Sequence, residues 1–205
     1  MPKKEVPVSY LENYLPAGTV PAVLEYLNRY RVHLTVTRER KSILGDYRHR
    51  TDYHQHRISV NGNLNPFAFL VTLLHELAHL LSFEEHGNRI QAHGREWKKI
   101  YGDLLKQFIQ HKIFPADIEA ELRITLNSPA ASSCAEAGLL RVLRRYDERK
   151  DNHHLLEELA TGVQFRLKDG RIFQKGEKLR KRFKCLEVKT GKLYLFSPVY
   201  EVEKV

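Results

Sequence analysis

The sequence predicts an α+β protein in two parts, on three observations. A long, almost uniformly apolar helical segment opens at Asn65-Pro66. Short runs rich in branched residues precede it, around residues 32–37 and 54–60, and predict a small sheet beside that helix. After Gly162 the apolar period changes to about two, with turn signals at Asp169-Gly170 and Gly191, which predicts a small antiparallel β module. The expected division is residues 1–155 for the helix-rich part and 162–205 for the β module.

Taken in order, residues 10–30 read as helical. Val23, Leu24, Leu27 and Tyr30 recur near helical spacing, and Pro21 suits a first turn. The alternation Val32-His33-Leu34-Thr35-Val36-Thr37 predicts a strand, Gly45–His49 a second, and His54–Val60 a third that ends at the turn Asn61-Gly62-Asn63. His54 and His56 are expected on an exposed face or edge of the third strand; if that strand is the sheet edge beside the site, its free backbone groups can receive an extended substrate peptide. Asn65 is a good N-cap and Pro66 belongs at the first helical position; the helix runs to a stop at Gly87. A second helix is expected from about Gly94 to His111, with Trp97, Tyr101, Leu104, Leu105 and Phe108 on its inner stripe. Two shorter ones follow at 117–126 and 136–149, with a loop at 128–133 between them. Asp147–His154 reads as a linker, and Leu179–Val188 as one strand.

The 205 residues, 42% hydrophobic and 29% charged, exclude a disordered or fibrous chain. The net charge of +9 is concentrated: residues 162–205 hold 12 Lys and Arg against 5 Asp and Glu, leaving 22 against 20 elsewhere. An anionic partner is therefore sought at the C-terminus first. Two cysteines, Cys134 and Cys185, cannot build a disulfide framework or a four-cysteine zinc site. The start, Met-Pro-Lys-Lys-Glu, does not read as a signal peptide. No membrane span is expected, and the expected location is cytoplasmic.

His75-Glu76-Leu77-Ala78-His79 matches H-E-x-x-H. On a helix, residues i and i+4 share a face, so both imidazoles can reach one tetrahedral metal ion. Glu76 is then placed to take a proton from a water that the metal acidifies and to pass it to a leaving amine. Three polar residues inside an apolar helix would be costly to bury without such a use. A third ligand is needed. Ser82 and Glu85 exclude the metzincin pattern, which wants Gly and His there. Spacing leaves His93, Glu96, His86, Glu84 and Glu85 open.

His75-Glu76-Leu77-Ala78-His79 followed by His93-Gly94-Arg95-Glu96-Trp97 resembles the SprT-like metallopeptidase family, which pairs H-E-x-x-H with a downstream His-Gly-x-x-aromatic segment. The resemblance covers about residues 20–112, including Leu34–Thr37, Gly45-Asp46-Tyr47-Arg48 and Ile58–Leu64. It implies a zincin-like catalytic domain with one Zn2+ per chain, His75, His79 and His93 as metal ligands, and Glu76 as catalytic acid/base. It also implies hydrolysis of a protein or peptide substrate, in this family including proteins attached to DNA. Many members carry a four-cysteine zinc ribbon at the C-terminus. This chain has only Cys185 there, so a ribbon-like sheet held by Phe165, Phe173, Phe183, Tyr194 and Phe196 is expected instead.

Arg166, Lys168, Arg171, Arg180, Lys181, Arg182 and Lys184 form a basic, aromatic-interleaved stretch suited to DNA. The alternative to a peptidase is a nucleic-acid-associated metal-binding protein whose proteolysis is weak, conditional or lost. The oligomeric state is not readable from these residues.

Overall fold

The computed structural model describes residues 8–40, 43–126, 136–148 and 152–205. Cys134 and the loop expected at 128–133 lie outside them. The chain divides into two compact units, residues 1–147 and 148–205.

The first unit begins with a 3-10 turn, Val8–Asn13, and helix α1, Val20–Arg29. The single helix expected over 10–30 is broken because Gly18 takes φ 81° in the turn between them. Strands β1 (His33–Thr37), β2 (Gly45–Arg48) and β3 (Arg57–Asn61) form a sheet of order β1-β3-β2. β1 runs parallel to β3, with Val36 opposite Val60, and β2 runs antiparallel to it, with Tyr47 opposite Ile58. The third strand is therefore central, paired on both sides, and has no free edge to receive a substrate peptide. It starts at Arg57, and four of its five residues are buried, as a strand covered on both faces must be. β1 and β2 are the two edge strands.

Helix α2, Pro66–His86, is the spine of the unit. Asn65 Oδ1 accepts the Ala68 backbone N–H at 3.0 Å, while its amide donates to Leu143 O at 2.9 Å and Asp147 Oδ1 at 2.6 Å. Phe69, Leu70, Leu73, Leu74, Leu77 and Leu80 are fully enclosed. Each contributes roughly 1.5–3 kcal/mol of transfer free energy. The stretch Pro66–Arg89 has the length and mean hydropathy to cross a membrane, and 72% of its apolar window is buried inside the protein. Helices α3 (Arg95–Gln110), α4 (Ala116–Thr125) and α5 (Ala137–Arg144) complete the unit, with Trp97, Leu105 and Phe108 of α3 turned into the core.

The second unit is a six-stranded antiparallel sheet of order β4-β9-β5-β6-β7-β8: β4 His153–Leu155, β5 Gln164–Arg166, β6 Ile172–Leu179, β7 Arg182–Glu187, β8 Leu193–Phe196 and β9 Glu201–Lys204. The linker expected over 147–154 thus ends in a strand that pairs with β9. The single strand expected over 179–188 is a hairpin, turning at Arg180-Lys181. Phe165, Phe173, Phe183 and Phe196 are buried together with Tyr194 packed against them, and Cys185 is an enclosed free thiol. Lys175 is buried too. Its ammonium donates to Leu159 O at 2.5 Å and Glu157 O at 3.3 Å, and lies 4.0 Å from the Phe183 ring centre.

Candidate metal centre

α2 places His75 and His79 one turn apart on the same face. The turn before α3 supplies His93. It takes φ 60°, a left-handed conformation uncommon for a residue with a side chain, and Gly94 follows as N-cap with its N–H donated to Gln91 O at 2.9 Å. A Cβ at Gly94 would stand 2.9 Å from that same carbonyl, so the tight turn requires glycine there.

The three ε nitrogens converge. His75 Nε2 is 3.2 Å and His79 Nε2 is 2.9 Å from His93 Nε2. A tetrahedral ion with bonds of about 2.0–2.1 Å holds its nitrogen ligands roughly 3.3 Å apart, so the spacing fits one ion. Burial pushes the His75 pKa down to about 3, with neighbouring His79 and His93 pushing the same way. Burial and His93 lower His79 to about 4, and burial lowers His93. All three rings are therefore neutral at pH 7, the form that offers a lone pair to a metal. Trp97 walls the cluster, its ring centre 4.7 Å from His75, 5.2 Å from His79 and 4.7 Å from His93.

Glu76 is 5% exposed, and burial, with Asp46 adding to it and Arg40 opposing, raises its pKa to about 8. A cation held by the imidazoles acts the other way, since an opposite charge favours the carboxylate. β2 passes directly against this residue: a Cβ on Gly45 would stand 2.5 Å from Glu76 Oε1.

Among the described residues His75, His79 and His93 form the one group of three or more His, Cys, Asp or Glu side chains close enough to hold a metal ion. The other third-ligand candidates point elsewhere. Glu84 pairs with Arg50 at 3.2 Å and faces His56 at 3.3 Å; Glu85 and His86 face each other at 3.4 Å; Glu96 is exposed on α3. His56, expected on an exposed face or edge, is 3% exposed, and its Nδ1 lies within hydrogen-bond distance of the Tyr47 hydroxyl, at 2.9 Å. This Tyr47–His56–Glu84 chain beside the metal centre is invisible in sequence, because its members come from three separate segments with no motif spacing.

Three of the basic C-terminal residues face acids. Arg166 pairs with Glu203 at 3.5 Å, Lys168 with Glu201 at 3.7 Å and Arg171 with Asp169 at 2.8 Å. Arg180 and Lys181 make the β6–β7 turn, and Arg182 and Lys184 follow on β7. Among the described residues none of these four meets a carboxylate.

An α+β chain carrying three convergent neutral imidazoles beside a buried carboxylic acid is a candidate metal-dependent protein. The SprT-like family model matches residues 22–131, more than half the chain and all four of these side chains, and the protein belongs to the SprT-like family. No curated protein and no solved structure matches the chain.

Proposed function

We propose that the protein is a zinc-dependent endopeptidase with a zincin-like first unit. The observation that carries this reading is the convergence of His75, His79 and His93 Nε2 beside Glu76, the one buried carboxyl group of α2. His75, His79 and His93 would hold the zinc ion, with one ion per chain. Bound there, zinc polarises a peptide carbonyl and acidifies water. Glu76 takes the proton from the attacking water and delivers it to the leaving amine nitrogen, a transfer its enclosed position favours by excluding bulk solvent. The free edge of β2, running past Glu76, offers backbone groups to an extended substrate peptide. The hairpin cations Arg180, Lys181, Arg182 and Lys184, which meet no carboxylate among the described residues, supply a surface for DNA, whose binding should weaken steeply with added salt.

Glu76→Gln tests the reading. It should lower cleavage of an unfolded protein substrate, assayed with and without single-stranded DNA, by roughly 10²–10⁴-fold while zinc and DNA binding persist. Cleavage by the variant at the wild-type rate refutes the role of Glu76. A zinc-loaded wild type that cleaves nothing under either condition favours a nucleic-acid-associated metal-binding protein instead.

A further inference from the structure

We propose that the cleft ringed by Arg29, Arg31 and Arg50 is a subsite for an acidic side chain of the substrate, which deepens and rests on the peptidase reading. The cleft measures about 470 Å³ and is lined from the end of α1, the segment 50–56 and Glu84 of α2.

Its position follows from how the chain after Gly45 tracks α2. Gly45 lies against Glu76, the Tyr47 ring is parallel to His79 with centres 6.4 Å apart, His49 stacks on Phe83 at 4.6 Å, and Arg50 pairs with Glu84 at 3.2 Å. Strand and helix therefore run side by side in the same direction. Eight helical residues from Glu76 to Glu84 span about 12 Å. That is the reach of about three to four extended residues. β2 is an edge strand of its sheet. A peptide laid along it from the metal centre reaches the Arg50–Glu84 wall of the cleft three or four residues from the scissile bond.

The chemistry of the cleft is cationic and partly uncommitted. Glu84 is already engaged by Arg50 and faces His56 at 3.3 Å. Arg29 and Arg31 are exposed, and among the described residues neither meets a carboxylate; Arg29 lies over the Tyr30 ring at 5.4 Å. They outnumber the one remaining acid of the lining, Asp52. Arg31 takes φ 50°, the left-handed turn that follows α1. Two guanidinium forks at one mouth match the planar, two-oxygen shape of a carboxylate. The Tyr47–His56–Glu84–Arg50 chain joins the cleft wall to the strand beside His79, so the wall is set in place before substrate arrives.

The test uses zinc-loaded Glu76→Gln protein, which should bind without cleaving, and a set of fluorescent peptides in which one Glu is moved stepwise through a neutral extended sequence. One Glu position should bind about five- to tenfold tighter than the matching Lys peptide. R29E/R31E, added to the same protein, should reverse that preference at unchanged zinc content. Equal affinity for Glu and Lys peptides at every position overturns the subsite. So does an R29E/R31E effect confined to oligonucleotide binding, which would make the cleft a phosphate site. Because binding is read on the Glu76→Gln protein, a wild type that binds with the Glu preference yet cleaves no peptide contradicts only the peptidase reading.

Discussion

Gly45→Ala is a sharp probe of how β2 meets the motif helix. The new methyl carbon would stand 2.5 Å from Glu76 Oε1, 2.8 Å from Glu76 Cγ and 2.8 Å from Thr72 Cγ2. Carbon atoms in contact rest about 3.5–4.0 Å apart, so the strand must retreat by roughly 0.7–1 Å or the carboxyl group must turn. Neither is free, because Glu76 and Thr72 are both buried on a helix packed on several sides. Overpacking of this kind costs about 1–3 kcal/mol. For a unit of this size that is a fall in Tm of about 3–10 °C, read by thermal melting at fixed zinc concentration. Two of the three close contacts belong to Glu76. In a Glu76→Ala background the same substitution should therefore cost less by about 1 kcal/mol, a coupling that a double-mutant cycle measures directly. An unchanged Tm, or the same cost in both backgrounds, would refute the packing of β2 on Glu76.

Three further outcomes are expected. Asn65→Ala removes the α2 cap and the bonds to Leu143 O and Asp147 Oδ1, and should lower stability by about 2–3 kcal/mol in urea unfolding, with Asn65→Asp recovering the cap but not the bonds its amide donates. Lys175→Met strips Leu159 O and Glu157 O of their ammonium donor inside the second unit and should cost about 2–4 kcal/mol, visible as an earlier transition in near-ultraviolet circular dichroism. Burial holds the Cys185 thiol pKa above its ordinary value, so the thiolate forms only at higher pH than usual. Peptide mapping after alkylation at pH 8 should find Cys185 unmodified in the native protein and modified in denaturant.

The parts legible in sequence are those written in local chemistry. Asn65-Pro66 marks the start of α2 because a side-chain oxygen and a missing N–H both suit a helix N-terminus. The pair His75 and His79 needs only helical periodicity. His93 is different. It is 14 residues past His79, and spacing alone left five candidates; what selects it is a left-handed backbone turn that a sequence does not display, and the family resemblance had to supply it. Whether β3 is an edge is not legible in its sequence, because alternation reports burial on one face and not the number of partners, whereas its parallel pairing with β1 is a long-range contact. β4 and β9 are not legible in sequence, because strands of three or four residues such as His153–Leu155 and Glu201–Lys204 carry too little pattern. The Arg180-Lys181 turn carries no sequence signal, since it contains no Gly, Pro, Asn or Asp, although Arg180 takes φ 25°. The C-terminal charge also divides: Arg166, Lys168 and Arg171 face acids of the same unit, whereas among the described residues Arg180, Lys181, Arg182 and Lys184 meet none.

The central claim is that His75, His79 and His93 together hold one zinc ion. Metal analysis of the purified wild-type and His93→Ala proteins tests it most directly. The account predicts about one zinc per chain in the wild type and close to none in the variant, with the variant still folded by circular dichroism. A wild type without zinc, or a His93→Ala protein that retains it in full, would contradict the account.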